Sequence, residues 1–246
     1  KVDAVVIATP AATHADIVGL ALDAGKHVFV EKPLCLNVDE AEALADRADC
    51  LGRVLMVGHL LLYHPAFLAL KAALDGGRIG NLRYIYSNRL SLGKIRREEN
   101  ALWSFAPHDI SMILSLIGTS PHRVVANGGS YLDSGVADTT LSHLSFFGQL
   151  QAHIFVSWLH PYKDQRLVVV GDEAMAVFDD VYMGDEKLLL YPHDVGWDGE
   201  LPVVTRPKPN PLHIMMWSPC GWNVRRLSML SSRPFAPLRI PARVFG

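Results

Sequence analysis

The sequence predicts two folded regions, an α/β region with a parallel sheet and then an α+β region with an open, mainly antiparallel sheet. The first region alternates short apolar strands with amphipathic helices joined by short links. The second is a series of strands with alternating polarity, interrupted by one helix. Because strand–helix–strand units favour parallel pairing, the change of pattern near Gly77–Gly80 marks the predicted boundary.

The first region contains three predicted strands, each followed by a helix. The strands are residues 3–8, 27–30 and 54–57. The helices run from Thr13 to Gly25, from Asn37 to about Ala48, and from Pro65 to about Leu74. Thr13 is the expected N-cap of the first helix, and Asn37 with Glu40 resembles a capping box for the second. The continuous apolar character of the first strand is typical of a strand buried on both faces.

The second region opens with a long alternating strand at residues 82–90 and continues with a helix at about 105–116. That helix has one apolar face, so it is expected to cover one side of the sheet. Further strands are predicted at residues 124–132, 139–147, 151–158, 166–170, 176–179 and 187–191. Turns rich in Gly, Asp and Pro join them, which favours antiparallel pairing.

The composition excludes several classes of partner. Of 246 residues, 50% are hydrophobic and 20% are charged, with a net charge of −2. A basic patch and a long apolar run are both missing, so neither nucleic-acid nor membrane partners are expected. The three cysteines have no disulfide or metal spacing, which predicts reduced thiols in a cytoplasmic protein without a signal peptide. The histidines show no metal-ligand spacing, so no metal site is predicted.

Both ends of the chain look unusual. The first residues lie within an apolar run without an initiator Met, and Asp and Glu end at Glu200. The predicted domains are residues 1–78, 79–200 and a mostly irregular tail, 201–246. The loss of acids in that tail motivates the hypothesis of a frameshift near residues 205–213. The coding DNA tests it, and the hypothesis fails if no other frame restores an acidic helix.

Two segments with reactive side chains follow predicted strands, where an open parallel sheet binds its ligands. Residues 8–14, Ala-Thr-Pro-Ala-Ala-Thr-His, follow the first strand, although a capped turn explains them better when they are taken alone. Glu31-Lys32-Pro33 follows the second strand. Lys32 is either a hydrogen-bond donor or acid/base group for a substrate hydroxyl, or half of a surface ion pair.

A third segment, residues 102–110, carries Pro-His-Asp at the predicted helix start. With Ser104 as the N-cap, His108 would lie in the first turns, where the helix dipole disfavours the imidazolium and leaves a neutral base. A single histidine at a helix start is more often structural than catalytic, however. In that structural interpretation, the negative charge of Asp109 would interact with the helix dipole and take no part in the chemistry.

In this order, the three segments and the open sheet that follows them resemble the glucose–fructose oxidoreductase/inositol dehydrogenase family, over residue 2 to about residue 200. A finer resemblance is to the UDP-N-acetylglucosamine and UDP-N-acetylglucosaminuronate 3-dehydrogenases, at residues 57–65, 92–100, 103–109 and 157–163. The resemblance implies that an incomplete, Rossmann-type parallel sheet precedes a substrate-binding and oligomerisation domain.

The resemblance also implies an NAD(P)-dependent enzyme that transfers hydride from a hydroxyl-bearing ring carbon of a nucleotide sugar. In such an enzyme, Lys32 would hydrogen-bond the reacting hydroxyl, and His108 would take its proton or share that task with Lys32. The cofactor-binding residues implied are Thr9, Pro10, His14, Glu31, Lys32 and His59. The substrate-binding residues implied are Asn88, Lys94, Arg96, Asn100, Trp103, Asp109 and Lys163. Without the resemblance, residues 94–100 would be interpreted as a solvated charged loop.

The sequence departs from the family pattern at two places. Ser104 stands where many members have an Asp, so Lys32 and His108 would carry more of the proton transfer. The Gly-x-Gly-x-x-Gly loop and the acid after the second strand of the cofactor fold do not occur, so we expect the chain to begin inside that fold, at an unprotected apolar edge strand. The expected cofactor is NAD, with NADP left open.

Three functions therefore stay open. The first is a nucleotide-sugar 3-dehydrogenase, and the second is a cyclitol or simple-sugar dehydrogenase. The third is a non-catalytic sugar-binding or oligomerisation module, because half of the expected cofactor site does not occur in the 246 residues, which would leave them inactive. The resemblance also implies homo-oligomers that form through the face of the open sheet.

Overall fold

The computed structural model describes residues 2–93, 95–97, 99–132, 135–212 and 214. The described chain divides into two compact units after Leu60. The first unit consists of β1 (Ala4–Ile7), α1 (His14–Asp23), β2 (His27–Val30), α2 (Val38–Cys50) and β3 (Leu55–Val57), with a 3-10 turn at Ala11–Thr13. Its strands pair in parallel in the order β1-β2-β3, which confirms the predicted α/β region.

Local signals explain most of the first unit. Asn37 Oδ1 accepts a hydrogen bond from the Glu40 amide at 3.1 Å, as the predicted cap of α2 requires. The expected capping by Thr13 is wrong, because the Thr13 hydroxyl donates backwards to Thr9 Oγ1 and to the Pro10 carbonyl, both at 2.8 Å. Thr13 does occupy the N-cap position of α1, but its backbone is already helical and its side chain makes no capping hydrogen bond.

Each helix of this unit packs an apolar face on the sheet. Val18 and Leu22 of α1 and Leu44 of α2 share a buried cluster with Val28 and Val30 of β2. Strand β1 lies at an edge of the described sheet, as expected. Its Val6 side chain is 74% exposed.

The second unit begins with a 3-10 turn at Leu60–Tyr63 and α3 (Pro65–Asp75). It continues with β4 (Leu82–Leu90), α4 (Ala101–Ile117), β5 (Arg123–Gly129), β6 (Thr139–Ser145), β7 (Gln151–Ser157), β8 (Asp164–Gly171), β9 (Ala174–Asp179) and β10 (Leu188–Pro192). The last strands are β11 (Asp194–Asp198), β12 (Leu201–Thr205) and β13 (Asn210–Pro211). Short 3-10 turns occupy Phe147–Gln149 and Gly184–Lys187.

Eight of these strands form one sheet, in the order β13-β10-β9-β8-β4-β7-β6-β5. Within it, β4 and β7 are parallel and every other neighbouring pair is antiparallel. This arrangement confirms the predicted open, mainly antiparallel sheet. Strands β11 and β12 form a separate hairpin that the sequence did not predict.

Helix α4 packs on β4, β6 and β7 and thereby covers one face of the large sheet. Helix α3 joins the same core, since Ala66, Phe67 and Leu70 are buried in the cluster that also contains the sheet residues. This packing explains why the units divide at Leu60, whereas the change of sequence pattern indicated a boundary near Gly77–Gly80.

Helix α4 begins earlier than predicted. Asn100 caps it by accepting a hydrogen bond from the Trp103 amide at 3.0 Å, while Ser104 is a buried residue inside the helix. Asn100 can act as the cap because its backbone is extended and the residues after it favour helix. His108 therefore lies beyond the first turn, and the expected effect of the helix dipole on it has no structural basis.

The predicted irregular tail contains ordered strands at its start. Residues 201–205 form β12 and residues 210–211 form β13, because they pair with β11 and β10. The predicted irregular structure is thus wrong for these two segments. The rest of the proposed frameshifted tail, from residue 215 on, lies outside the described residues.

Candidate functional site

The carboxyl ends of the three parallel strands lie together in the first unit. The Glu31 amide donates to the Ile7 carbonyl at 2.9 Å, and the Gly58 amide donates to the Val30 carbonyl at 2.8 Å. The residues that follow β1, β2 and β3 are therefore held at one edge of the sheet, where ligands of open parallel sheets bind. This edge, with Thr9, Glu31, Lys32 and His59, is called the strand-end site below.

Glu31 packs against the backbone of Gly58. A Cβ atom on Gly58 would lie 3.3 Å from both carboxylate oxygens of Glu31 and 3.2 Å from the Phe29 ring. A larger residue would have to displace the carboxylate, so glycine permits the close approach. The sequence did not single out Gly58. The signal for it was its place directly after an apolar strand.

His59 follows, with a half-buried ring beside charges of both signs. Burial, and next the positive charge of Lys32, lower the pKa of His59, against the opposite effect of Glu31. Its Nδ1 atom is buried and has no hydrogen-bond partner in the described part of the chain. The imidazole is consequently a neutral group with hydrogen-bonding capacity beside Lys32.

His14 takes a different place from the one expected for a cofactor contact. Its side chain is only 1% exposed. One ring nitrogen lies 2.7 Å from the Pro33 carbonyl oxygen and the other 2.8 Å from the Thr9 carbonyl oxygen. The ring thus ties the segment after β1 to the segment after β2, while Thr9 and Pro10 are exposed.

In the second unit, α4 carries three predicted site residues, of which two are half-buried. These two are Trp103 and His108. The third, Asp109, is 1% exposed and faces the sheet. Arg89 of β4 donates from Nε to Asp109 Oδ2 at 2.7 Å, and Ser87 Oγ donates to Asp109 Oδ1. The structure therefore gives Asp109 partners inside the protein and does not support the expected substrate contact.

Arg89 was not among the site residues predicted from the sequence, although a signal for it exists. Ile85, Ser87 and Arg89 are alternate residues of β4, and all three are buried. An Arg on the inward-facing side of a strand needs a buried partner of opposite charge. Residues 102–110, which were already singled out, contain the acid Asp109. The alternation of β4 could have suggested the Arg89–Asp109 pair.

Two short backbone contacts join the segments that carry the other predicted substrate residues. The Ser91 amide donates to the Ser157 carbonyl at 3.0 Å, and the Leu92 amide donates to the His160 carbonyl at 2.6 Å. These contacts bring the chain after β4 beside the chain after β7. Lys163 is exposed there, in the turn before β8.

The remaining predicted substrate residues have partners within the protein or lie outside the described part. Asn88 Nδ2 donates to Asp164 Oδ2 at 3.1 Å, and Arg96 forms an ion pair of 3.1 Å with Glu99. Asn100 caps α4, as described above. Lys94 lies outside the described residues.

The residues that the structure describes contain no group of three or more His, Cys, Asp or Glu side chains that could hold a metal ion. Among the helices so described, none combines the length and the apolar character needed to cross a membrane.

Two family models match the chain one after the other. Residues 1–59 match a model described as an oxidoreductase family with an NAD-binding Rossmann fold. Residues 67–177 match the GFO/IDH/MocA C-terminal domain. The gap between the two matches contains Leu60, where the two structural units divide.

Two curated relatives cover much of the chain. The scyllo-inositol 2-dehydrogenase (NAD(+)) of Bacillus subtilis is 29% identical over 183 residues, which are 70% of this chain and 54% of that protein. The UDP-N-acetylglucosamine 3-dehydrogenase of Acidithiobacillus ferrooxidans is 36% identical over 129 residues, 52% of this chain and 40% of that protein. The chain thus spans about half or less of the length of these relatives.

Two solved structures share the fold over nearly the whole chain. A crystal structure of an oxidoreductase from Magnetospirillum magnetotacticum MS-1 matches with a TM-score of 0.77 and 35% sequence identity. The match covers 93% of this chain and 72% of the Magnetospirillum chain. A structure of the Acidithiobacillus ferrooxidans UDP-N-acetylglucosamine 3-dehydrogenase has a TM-score of 0.76 and 25% identity, covering 95% and 72%.

Proposed function

The chain belongs to the GFO/IDH/MocA oxidoreductase family, and from that premise we propose that it acts as an NAD-dependent dehydrogenase of nucleotide sugars. The proposed substrate is UDP-N-acetylglucosamine or its uronate, oxidised at C3. The observation that carries the proposal is the strand-end site, in which Lys32, Glu31 and a neutral His59 lie together. The relative named for UDP-N-acetylglucosamine supports the choice of sugar.

The residues of the strand-end site fit the nicotinamide end of NAD. His59 Nδ1 is a buried atom with unused hydrogen-bonding capacity. Thr9 is exposed, and its hydroxyl, which lies 2.8 Å from the Thr13 hydroxyl, is proposed to bond a ribose oxygen. Glu31, Lys32 and Pro10 would complete this end of the site, and His14 would hold its two segments together.

When bound, the nicotinamide supplies the hydride acceptor, and the chain supplies the rest of the chemistry. Oxidation of a ring alcohol breaks the C–H and O–H bonds and forms a carbonyl. Lys32 would donate a hydrogen bond to the reacting oxygen, and His108 would accept the hydroxyl proton as the hydride leaves. These two roles are proposals for side chains that the structure places in separate units.

Exposed cations in the second unit support a substrate with a diphosphate. Arg96 and Lys163 lie in the two segments that the Ser91 and Leu92 amides hold side by side. Guanidinium and ammonium groups bind phosphate oxygens, so these residues are proposed to hold the nucleotide. Trp103, which is half-buried near the start of α4, is proposed to contact the sugar.

We further propose that copies of the chain associate through the open face of the large sheet. Tyr84, Val125 and Leu141 are 43%, 40% and 47% exposed. The strand alternation places all three on the face opposite α4. Analytical ultracentrifugation measures the outcome, and a strictly monomeric protein at micromolar concentration would rule this association out.

A cyclitol is the second candidate substrate, because the inositol dehydrogenase relative aligns over more of the chain than the nucleotide-sugar relative does. A panel of UDP-N-acetylglucosamine, free N-acetylglucosamine and myo-inositol separates the two functions. The nucleotide-sugar proposal requires strong preference for the substrate with the UDP group. Equal or better turnover of myo-inositol would favour the cyclitol.

Substitution of the two proposed catalytic residues tests the reaction in the complete natural gene product. Lys32→Ala and His108→Ala should each lower kcat for NADH formation by at least about a hundredfold, the usual contribution of a positioned acid or base. Lys26→Ala and His122→Ala are matched controls, since Lys26 bonds the Val2 carbonyl and His122 is exposed just before β5. Full activity in both catalytic variants would refute the assignment.

A further inference from the structure

A buried ion pair joins the helix that carries His108 to the centre of the large sheet. Arg89 lies on β4, which is flanked by β8 and β7, and Asp109 lies on α4 directly after His108. The two side chains are 9% and 1% exposed. The pair is therefore a nearly dry contact at the position next to the proposed base.

The carboxylate of Asp109 is held by three donors. Arg89 Nε lies 2.7 Å from Oδ2, and a second guanidinium nitrogen of Arg89 lies 3.4 Å from Oδ1. The Ser87 hydroxyl also donates to Oδ1. Because the guanidinium fork is planar, contacts to both oxygens fix the orientation of the carboxylate as well as its position.

Stability alone does not account for a pair of this kind. Removing two charges from water costs much of what their attraction returns, and well-packed apolar residues of similar volume are often at least as stable. The core around this pair is already rich in apolar residues, among them Ile85, Ile113 and Ile154. Buried charges can instead select one arrangement among several similar ones.

The geometry of a helix connects this contact to His108. Successive residues of an α-helix point about 100° apart around its axis, so the direction of one side chain fixes that of the next. With Asp109 directed at Arg89 and Ser87, the rotation of α4 is set, and so is the position of the His108 Cβ atom around the helix axis. Apolar packing alone tolerates small rotations better than hydrogen bonds do.

We infer that Arg89 and Asp109, assisted by Ser87, are positioning residues that set the rotation of α4 and with it the direction of the His108 ring. The consequence for catalysis rests on the proposed function, because it requires His108 to be the base. The placement of the ring does not rest on it. The two parts can therefore be measured separately.

The decisive comparison separates stability from position. Asp109→Asn should lower kcat by roughly 10- to 100-fold, the cost of misplacing a reacting group by about 1 Å, with little change in KM. The double variant Arg89→Met/Asp109→Leu should recover the melting temperature, because no charge stays buried alone, but should not recover kcat. Leu116→Ala is the matched control on the same helix, since it removes core packing without touching the pair.

A second readout does not depend on turnover. The ring resonances of His108, assigned by comparison with His108→Ala, report its surroundings in the folded chain. Asp109→Asn and the double variant should shift them, whereas Leu116→Ala should leave them in place. Wild-type ring resonances together with wild-type kcat in the double variant would overturn the inference. If His108→Ala keeps full activity while Asp109→Asn still shifts the His108 ring resonances, the positioning role is confirmed and the proposed catalytic role of His108 is refuted.

Discussion

His59 lies where β3 ends, between a positive and a negative neighbour. Burial and the charge of Lys32 favour the neutral ring. The charge of Glu31 has the opposite but smaller effect, so the pKa of His59 is lowered. The same residue is proposed to contact the nicotinamide end of the cofactor. A neutral ring serves that role because it can both donate and accept hydrogen bonds, whereas the imidazolium can only donate.

The lowered pKa of His59 predicts how stability depends on pH. The unfolded chain binds a proton near the ordinary value of 6.5 and the folded chain binds it only at lower pH. The unfolded state therefore holds more protons in that interval. With respect to this group, the free energy of unfolding is highest above pH 6.5 and decreases as the pH falls below it. Burial lowers the pKa of His64 and His153 as well, which adds to the same slope.

Denaturant unfolding at about pH 7.5 and about pH 5.5 measures this effect. His59→Gln keeps a polar group of similar size but cannot titrate. The loss of stability between the two pH values should be smaller in His59→Gln than in the natural protein, with the remainder due to His64 and His153. An identical loss in both proteins would show that His59 does not titrate differently in the folded state.

At the scale of elements, the sequence predicted those whose signals are local. Strand β2 runs from His27 to Val30 as expected, and α2 has the predicted cap at Asn37. The start of α4 could not be predicted in the same way, because Asn100 and Ser104 are both good caps and tertiary packing chooses between them. Burial of Ala101 and Ser104 in the second unit favours the earlier start.

The site residues also differ in whether local sequence signals or tertiary packing determine their roles. Glu31 and Lys32 were predicted from their places after an apolar strand, since the topology of a parallel sheet brings strand ends together, and His59 was implied by the resemblance. The partners of Asp109 and His14 depend on which face of an element is buried. A resemblance in sequence does not specify this, so both residues were expected to contact ligands.

Substitution of Asn100 tests the role of this residue as a cap. Asn100→Ala should lower the free energy of unfolding by about 1 kcal/mol, whereas Asn100→Ser should retain nearly all of it. The resemblance implied a sugar contact at this position, and that role would make both variants raise KM. Thermal unfolding and KM measured together decide between the two roles, and a large rise in KM with unchanged stability in Asn100→Ala would contradict the cap.

At the scale of the whole molecule, the chain combines a three-stranded parallel sheet with an eight-stranded sheet covered on one face by α4. The first sheet carries the residues proposed for the nicotinamide end, and the second unit carries those proposed for the substrate. The pattern Gly-x-Gly-x-x-Gly, which binds the pyrophosphate in such folds, does not occur in the 246 residues. Function is therefore best tested in the complete natural gene product.

In the proposed reaction, hydride leaves C3 of a UDP-linked amino sugar for NAD⁺. UDP-N-acetylglucosamine, or its uronate, deuterated at C3 tests the claim directly, with mass spectrometry of the reduced cofactor as the readout. We expect the natural gene product to form NADH carrying one deuterium, and Lys32→Ala to abolish its formation. Reduced cofactor without deuterium, or no reduction with either sugar under conditions where myo-inositol is oxidised, would contradict it.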